Sequence, residues 1–265
     1  MNARQLLESG QLTAAIEQLN LEVRAHPLET RLRTSLFEVL CFAGDFARAE
    51  RQLDALAQQN TELEIGVQVY RAALMAERSR ERLFDSGIAP GFITEPPAFV
   101  RLQLEALNRL REQRPAEARA SLEEAADAQD DLPGRLNGEN FADFSDADPL
   151  LGPVLELLIH DRYIWLPLVQ LRRLILSAPK RMRDLLWLPV TFETVAGTSG
   201  GAFLPGLYYG SNRHPDDQVK LGRVTLWEDL GDRLSRGIGR RMFFMDDSER
   251  SVLDIHELEF GNHSS

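Results

Sequence analysis

Residues 8–19 read ESGQLTAAIEQL and residues 42–53 read FAGDFARAERQL. Aligned on their glycines, Gly10 falls on Gly44, Leu12 on Phe46, Ala15 on Ala49, Gln18 on Gln52 and Leu19 on Leu53, an offset of 34 residues. That is the period of a tetratricopeptide helix pair. A repeat of this kind restricts the fold severely, because one helix pair cannot bury its apolar face alone and must stack on a neighbour. The residue types suit the geometry. A turn between antiparallel helices favours Gly, a small Ala lets the helices approach closely, and Leu12 or Phe46 with Leu19 or Leu53 fills the seam. A third copy, QRPAEARASL at 113–122, puts Ala118 and Leu122 in the places of Ala49 and Leu53. It follows the second by 69 residues, close to two periods, so a degenerate unit is expected between them.

Apolar residues keep helical spacing up to about residue 128: Leu12, Ala15, Ile16, Leu19 and Val23; Leu32, Leu36, Val39 and Leu40; then Leu63, Val67, Tyr70 and Leu74. The string LFDSGIAPGFITEPP at 83–97 interrupts this with two Gly and three Pro and reads as a loop inserted in the degenerate repeat. Residues 127–148 carry seven acidic side chains against one Arg, which predicts a solvated acidic linker over 129–149, partly docked through Phe141 and Phe144. Beyond 150 the texture changes to short apolar runs: VLELLIH, YIWLP, DLLWLPVTFETVA, AFLPGLYYG, VKLGRVTLW, RRMFFMD and VLDIHELEF have strand length and strand residues. Among them LVQLRRLIL at 168–176 sets Leu168, Leu171 and Ile175 on one helical face. The predicted fold class is α+β. A tetratricopeptide-like all-α helical repeat array over 1–128 precedes a small α+β domain, rich in short strands, over 150–265.

The chain has 265 residues, 43% of them hydrophobic, enough to bury one core and to permit two. The net charge of −11 argues against general nucleic-acid affinity, which clustered Lys and Arg drive. The densest basic group, RSRER at 78–82, reads as a solvated face or a helix-end salt-bridge network. No apolar run reaches the length of a membrane span, and MNARQLLESG has neither a positive leader region nor an apolar one, so a cytoplasmic, untethered protein is expected. The single cysteine, Cys41, lies on the apolar side of a helical pattern and reads as a buried structural thiol.

Signatures of catalysis are missing. There is no GxxxxGK[ST], HExxH, GxSxG or CxxC. GTSGG at 197–201 reads as a hairpin turn and RGIGRR at 236–241 as a turn before a strand. Asp143, Asp146 and Asp148 lack the spacing of a calcium loop. His160, His214 and His256 each sit near a carboxylate, an arrangement commoner on surfaces than in general bases. No catalytic residue, metal site or cofactor is predicted. Periodicity alone leads to a protein-binding adaptor, because stacked helix pairs offer a concave surface for a peptide or helix.

The series DRYIWLPLVQLRRL, RDLLWLPV, AFLPGLYYG and LGRVTLW, in this order, resembles the ImpE or TagJ family of type VI secretion accessory proteins, also called SciE-type virulence proteins. The likeness spans essentially the whole chain, since that family also begins with tetratricopeptide-like helices, continues through an acidic stretch and ends in this small domain. The family string Gly-Arg-Tyr-Tyr-Trp-Val-Pro falls on residues 161–167, with Asp161 in place of the Gly and Ile164 in place of the second Tyr. Arg183, Asp184, Leu185, Leu186 and Trp187 match without change, and Leu188 stands where an Arg is common. The resemblance implies a non-enzymatic adaptor that binds the N-terminal helix of the small sheath subunit and is linked to the ATPase that disassembles the contracted sheath. The aromatic and Arg residues suited to such contacts are Tyr163, Trp165, Arg183 and Trp187. A tetratricopeptide chaperone for a secreted effector is the alternative, since it would share the groove.

Overall fold

The computed structural model describes residues 2–261. Its first half is helical: α1 (Ala3–Glu8), α2 (Leu12–Ala25), α3 (Thr30–Phe42), α4 (Phe46–Gln59), the long α5 (Glu64–Ser86), α6 (Ala98–Arg111) and α7 (Pro115–Asp127). The repeat read from the sequence is physically present at its turns. Gly10 and Gly44 have φ of +77° and +71°. After α3 the Gly44 N–H donates to the Cys41 carbonyl at 3.0 Å and the Asp45 N–H to that of Leu40 at 2.9 Å. This is the paired hydrogen bonding by which a left-handed residue satisfies the last carbonyls of a helix. Gly10 and Gln11 repeat it onto Leu7 and Leu6, and Gln113 and Arg114 onto Leu110 and Arg109. In the third copy Gln113 adopts the left-handed conformation, φ +60°, without being glycine. Five residues beyond each turn, Ala15, Ala49 and Ala118 are fully buried where the helices cross.

No degenerate helix pair fills the gap between the second and third copies. The segment is one 23-residue helix, α5, ended by Gly87 in the left-handed region. The predicted loop starts four residues later than read and runs along the sheet, where the Gly91 N–H donates to the Tyr163 carbonyl at 2.9 Å and the Trp165 N–H to that of Gly91 at 3.0 Å. Half-buried by α4 on one side, α5 turns its other side to the sheet instead of to a partner helix.

The sheet has eight antiparallel strands. In chain order these are β1 (Gly134–Leu136), β2 (Glu139–Phe141), β4 (Val154–Ile159), β5 (Arg162–Pro167), β6 (Leu171–Leu176), β7 (Trp187–Thr194), β8 (Ser199–Pro205) and β13 (Glu257–Phe260). Their spatial order is β2-β1-β13-β6-β7-β8-β4-β5. β3 (Phe144–Asp146) joins β11 (Met242–Met245) and β12 (Ser248–Ser251) in a three-stranded sheet. After the single-turn helix α8 (Asp217–Lys220), β9 (Thr225–Gly231) and β10 (Leu234–Gly239) form a separate two-stranded ribbon.

Four readings are corrected here. The segment expected to be a solvated acidic linker contains β1, β2 and β3, and Asp146 and Asp148 are buried within it. The segment 168–176 is a 3₁₀ turn followed by strand β6, not a helix. A register shift between Leu171 and Arg173 inserts an extra residue, so that Leu171, Leu174 and Leu176 point inward; a bulge of this kind breaks period two and imitates helical spacing. RSRER is only partly a solvated face, because Arg78 pairs with Glu50 at 2.6 Å near the surface while Arg80 is buried. GTSGG contributes Gly197, at φ +83°, and Thr198 to the turn between β7 and β8, while its Ser199, Gly200 and Gly201 open β8. RGIGRR is not a turn: it runs through the end of β10 into two buried arginines.

The repeat turns also touch the second half of the chain. The Thr13 N–H donates to Asp217 Oδ2 at 2.8 Å, Gln218 Nε2 donates to the Gly10 carbonyl at 3.3 Å, and a Cβ at Gly44 would lie 2.1 Å from the Asn212 side chain. Gly44→Ala is therefore expected to destabilise the protein by at least about 1–2 kcal/mol, the cost of the left-handed conformation before any clash is counted. Gln113→Gly, which relieves the same strain, is expected to stabilise it by up to about 1 kcal/mol. Urea unfolding of the two variants checks both signs.

Candidate functional site

Tyr163, Trp165, Arg183 and Trp187, the residues expected to meet a partner, are all buried between the helices and the sheet. β5 places Tyr163 and Trp165 on the face toward α5, and β7 begins with Trp187. Arg80 of α5 grips Glu156 of β4 through two bonds, Nε to Oε1 at 2.7 Å and Nη2 to Oε2 at 2.8 Å, and also donates to the Leu207 carbonyl at 3.0 Å. The Tyr163 hydroxyl donates to the same Glu156, and Trp165 Nε1 donates to that hydroxyl at 2.6 Å. Trp187 Nε1 donates to Glu77 of α5 at 2.9 Å. Arg183 reaches Glu38 of α3 at 2.6 Å, with its guanidinium 4.6 Å from the centre of the Tyr70 ring. Burial pushes the Tyr163 hydroxyl pKa up, so it stays a donor. These four side chains hold the two halves together and are not offered to a partner, which corrects the expectation.

The network continues on the far side of Glu156. The Arg241 guanidinium, fully buried, contacts Glu156 and meets Asp146 Oδ2 at 3.2 Å. The Tyr208 hydroxyl lies 2.9 Å from Asp146 Oδ1 and accepts the Met242 N–H at 3.0 Å. Burial raises Asp146 to about 6, against the pull of Arg241, and lowers Arg241 to about 10. Asp143, Asp146 and Asp148 do not converge: among the described residues no group of three or more His, Cys, Asp or Glu is arranged to hold a metal ion. His160 lies in the turn between β4 and β5, and His214 Nδ1 accepts the Asp216 N–H at 3.1 Å. The backbone N–H of His256 donates to Asn137 Oδ1 at 2.8 Å. Cys41 is buried, and burial raises its thiol pKa well above the usual value.

A cleft of about 860 Å³ opens between the end of α5, the α6–α7 hairpin and the β9–β10 ribbon. Phe84 and Tyr209 stack across its base with centroids 4.3 Å apart, and Leu107, Leu110 and Leu150 continue the apolar floor. The opposite wall is Leu226 to Leu230 with Ile238. Charges at the rim are mostly paired internally. Arg213 grips Asp85 through both terminal nitrogens at 2.9 and 2.7 Å, holding that carboxyl below its usual range, and Arg236 meets Glu228 at 2.6 Å. Arg111 donates to the Leu83 carbonyl at 3.0 Å, closing the end of α5. Leu226 and Trp227 are 44% and 40% exposed, whereas Trp165 and Trp187 are at most 1% exposed. An apolar floor with an exposed Trp on one wall is the composition of a protein-binding hot spot.

Sequence reasoning missed this cleft although it carried one usable signal. Leu226 and Trp227 are neighbours in a strand, and adjacent side chains of a strand point to opposite faces.

The ImpE protein family profile matches residues 138–259. The type VI secretion system accessory component TagJ of Pseudomonas aeruginosa strain PAO1 is 36% identical over 260 residues, which cover 98% of this chain and 91% of that protein. The crystal structure of protein VPA1032 from Vibrio parahaemolyticus superposes with a TM-score of 0.91, 24% identity and 98% coverage of both chains, a likeness of fold.

The seam and the cleft respond differently to substitution. Arg80→Leu leaves Glu156 without its bidentate cation in the interior and is expected to cost about 3–5 kcal/mol. Trp227→Ala is expected to change stability by about 1 kcal/mol or less, as at an exposed site. Urea denaturation of both variants at pH 7 tests the division.

Proposed function

The chain belongs to the ImpE/TagJ family of type VI secretion accessory proteins, and from that premise we propose that it is a non-enzymatic adaptor whose cleft takes the N-terminal helix of the small sheath subunit. In this reading the helix lays its apolar face on the partly exposed Phe84, Leu110 and Tyr209 against the wall that carries Trp227. Bound there, it links the sheath to the ATPase that disassembles it. The observation that carries the reading is the exposure of Trp227 beside Leu226 over an apolar floor.

Physical chemistry supports a helix as ligand. An amphipathic helix satisfies its own backbone hydrogen bonds, so it can enter an apolar cleft without asking for backbone partners there. Because Arg213 and Arg236 already have carboxylate partners, covering the floor leaves no newly unpaired charge among them. Large side chains such as Trp227 and Tyr209 supply contact area at low cost in conformational entropy.

Titration of a fluorescently labelled peptide of that sheath helix, followed by anisotropy with a scrambled peptide as control, tests the proposal. Saturable binding at roughly micromolar affinity is expected, weakened about tenfold or more by Trp227→Ala and lost on scrambling. Absence of binding up to hundreds of micromolar overturns the partner assignment. Capture of a secreted effector by the same cleft, blocked by Trp227→Ala, would establish the chaperone alternative in its place.

A further inference from the structure

The third repeat turn keeps the geometry of the other two but not their residue. Gly10 and Gly44 hold the left-handed conformation at no steric cost, whereas Gln113, at φ +60°, holds it against its own Cβ. The turn uses only the backbone of this residue: the Gln113 N–H donates to the Leu110 carbonyl at 3.0 Å, a bond that glycine would make as well. Its side chain is exposed and makes no hydrogen bond among the described residues, yet Gln113 lines the cleft. A strained residue whose side chain adds nothing to the fold points to a task outside the fold.

The two ends of the cleft differ. At the foot of the ribbon the Tyr208 N–H donates to the Gly239 carbonyl at 2.9 Å, and Arg213 and His214 line the cleft nearby. At the other end the ribbon's turn reaches α7: a Cβ at Gly231 would lie 3.3 Å from Pro115 Cγ, and Arg119 Nε meets Asp232 Oδ2 at 2.9 Å. Gln113 and Asp229 line this bridged end. Asp85 and Glu228, the other carboxylates of the lining, are held by Arg213 and Arg236. Asp229 accepts the Gly231 N–H at 2.8 Å and has no ion-pair partner among the described residues.

A helix laid along the cleft stops where the ribbon crosses to α7, and its terminal turn there carries four backbone groups without intrahelical partners. The neighbouring charge selects the terminus. An N-terminus presents N–H donors and the positive end of the macrodipole, which suit a carboxamide oxygen and a carboxylate. A C-terminus would set its carbonyls against Asp229.

We propose that Gln113 and Asp229 cap the N-terminal turn of the docked helix, Gln113 by accepting from its free N–H groups and Asp229 by facing its positive end. The inference rests on the cleft being the partner-binding surface and adds the direction in which the helix lies. A helix that begins its chain needs an exit only at its C-terminal end, so a bridged end suits it.

Affinity for the sheath-helix peptide and thermal stability, both measured on the full chain, test this. Gln113→Gly is expected to raise the thermal midpoint by up to about 3 °C, through relief of strain. The same variant is expected to weaken peptide binding about threefold to tenfold, the effect of losing one hydrogen bond. Opposite signs mark a residue kept for the ligand, since one kept for the fold would lose stability as well. Gln113→Glu retains the acceptor and is expected to bind at least as tightly as the wild type, while Gln113→Lys binds about tenfold more weakly. Asp229→Asn is expected to weaken binding about twofold to fivefold at low salt. Tighter binding by Gln113→Lys than by Gln113→Glu reverses the direction of the helix and overturns the proposal. Unchanged affinity of Gln113→Gly, with Trp227→Ala still weakened, overturns it too and leaves the cleft as the binding surface. A peptide that does not bind the wild type up to hundreds of micromolar removes both readings.

Discussion

Arg80 and Glu156 form the contact on which the rest of the molecule depends. One comes from the C-terminal third of α5 and the other from β4, and both are shut away from water. Burying two charges costs several kcal/mol each unless geometry and additional hydrogen bonds compensate. Here the pairing is bidentate, and the remaining polar atoms find the Leu207 carbonyl, Tyr163 and Arg241. Directional bonds of this sort accept one arrangement of helix against sheet, where apolar packing alone would accept several. Around them Trp165, Trp187 and Tyr70 exclude water; one hydrophobic core runs from Ala3 in α1 to Leu234 in β10, and a second gathers the alternate strand residues Leu155, Leu157, Ile164 and Leu166.

That arrangement spends the repeat on internal contacts. The turns marked by Gly10 and Gly44 meet Gln218 and Asn212, and α5 lies on the sheet. The α6–α7 pair meets the end of α5 through Arg111 and packs on residues 149–152, with Gln103 donating to the Pro149 carbonyl at 3.3 Å. A stacked array normally offers its partner one continuous face. In this protein a cleft opens instead at the junction of α5, α6–α7 and the β9–β10 ribbon, where Leu226 and Trp227 are partly exposed.

How much of this was legible in the sequence follows from the range of each interaction. The repeat turns were readable because a left-handed residue followed five places on by a small one is a local requirement, and even Gln113 obeys it without glycine. Strand β6 was not, because the bulge at Leu171 spaces its inward residues like a helix. The acidic stretch misled for another reason: charge counts describe average solvation, whereas Asp146 and Asp148 are satisfied by Tyr208, Arg241 and the Gly237 amide, all more than 60 residues away in the chain. Tyr163, Trp165, Arg183 and Trp187, expected at a partner surface, lie instead in the buried seam, because aromatic and Arg residues serve a seam as well as an interface and burial decides between them.

By itself the sequence determined the helical repeat and its 34-residue period, the change to short strands, the α+β class and membership of a type VI secretion accessory family. Each of these is written in local spacing or in residue order along the chain. Only the tertiary structure decided that Arg80 and Glu156 meet, that the best-matching motif residues face inward, and that Leu226 and Trp227 stay partly exposed beside a cleft. The physical reason is that burial and charge pairing are properties of surfaces brought together from distant segments, and no local pattern records which side of a strand or helix will find its partner.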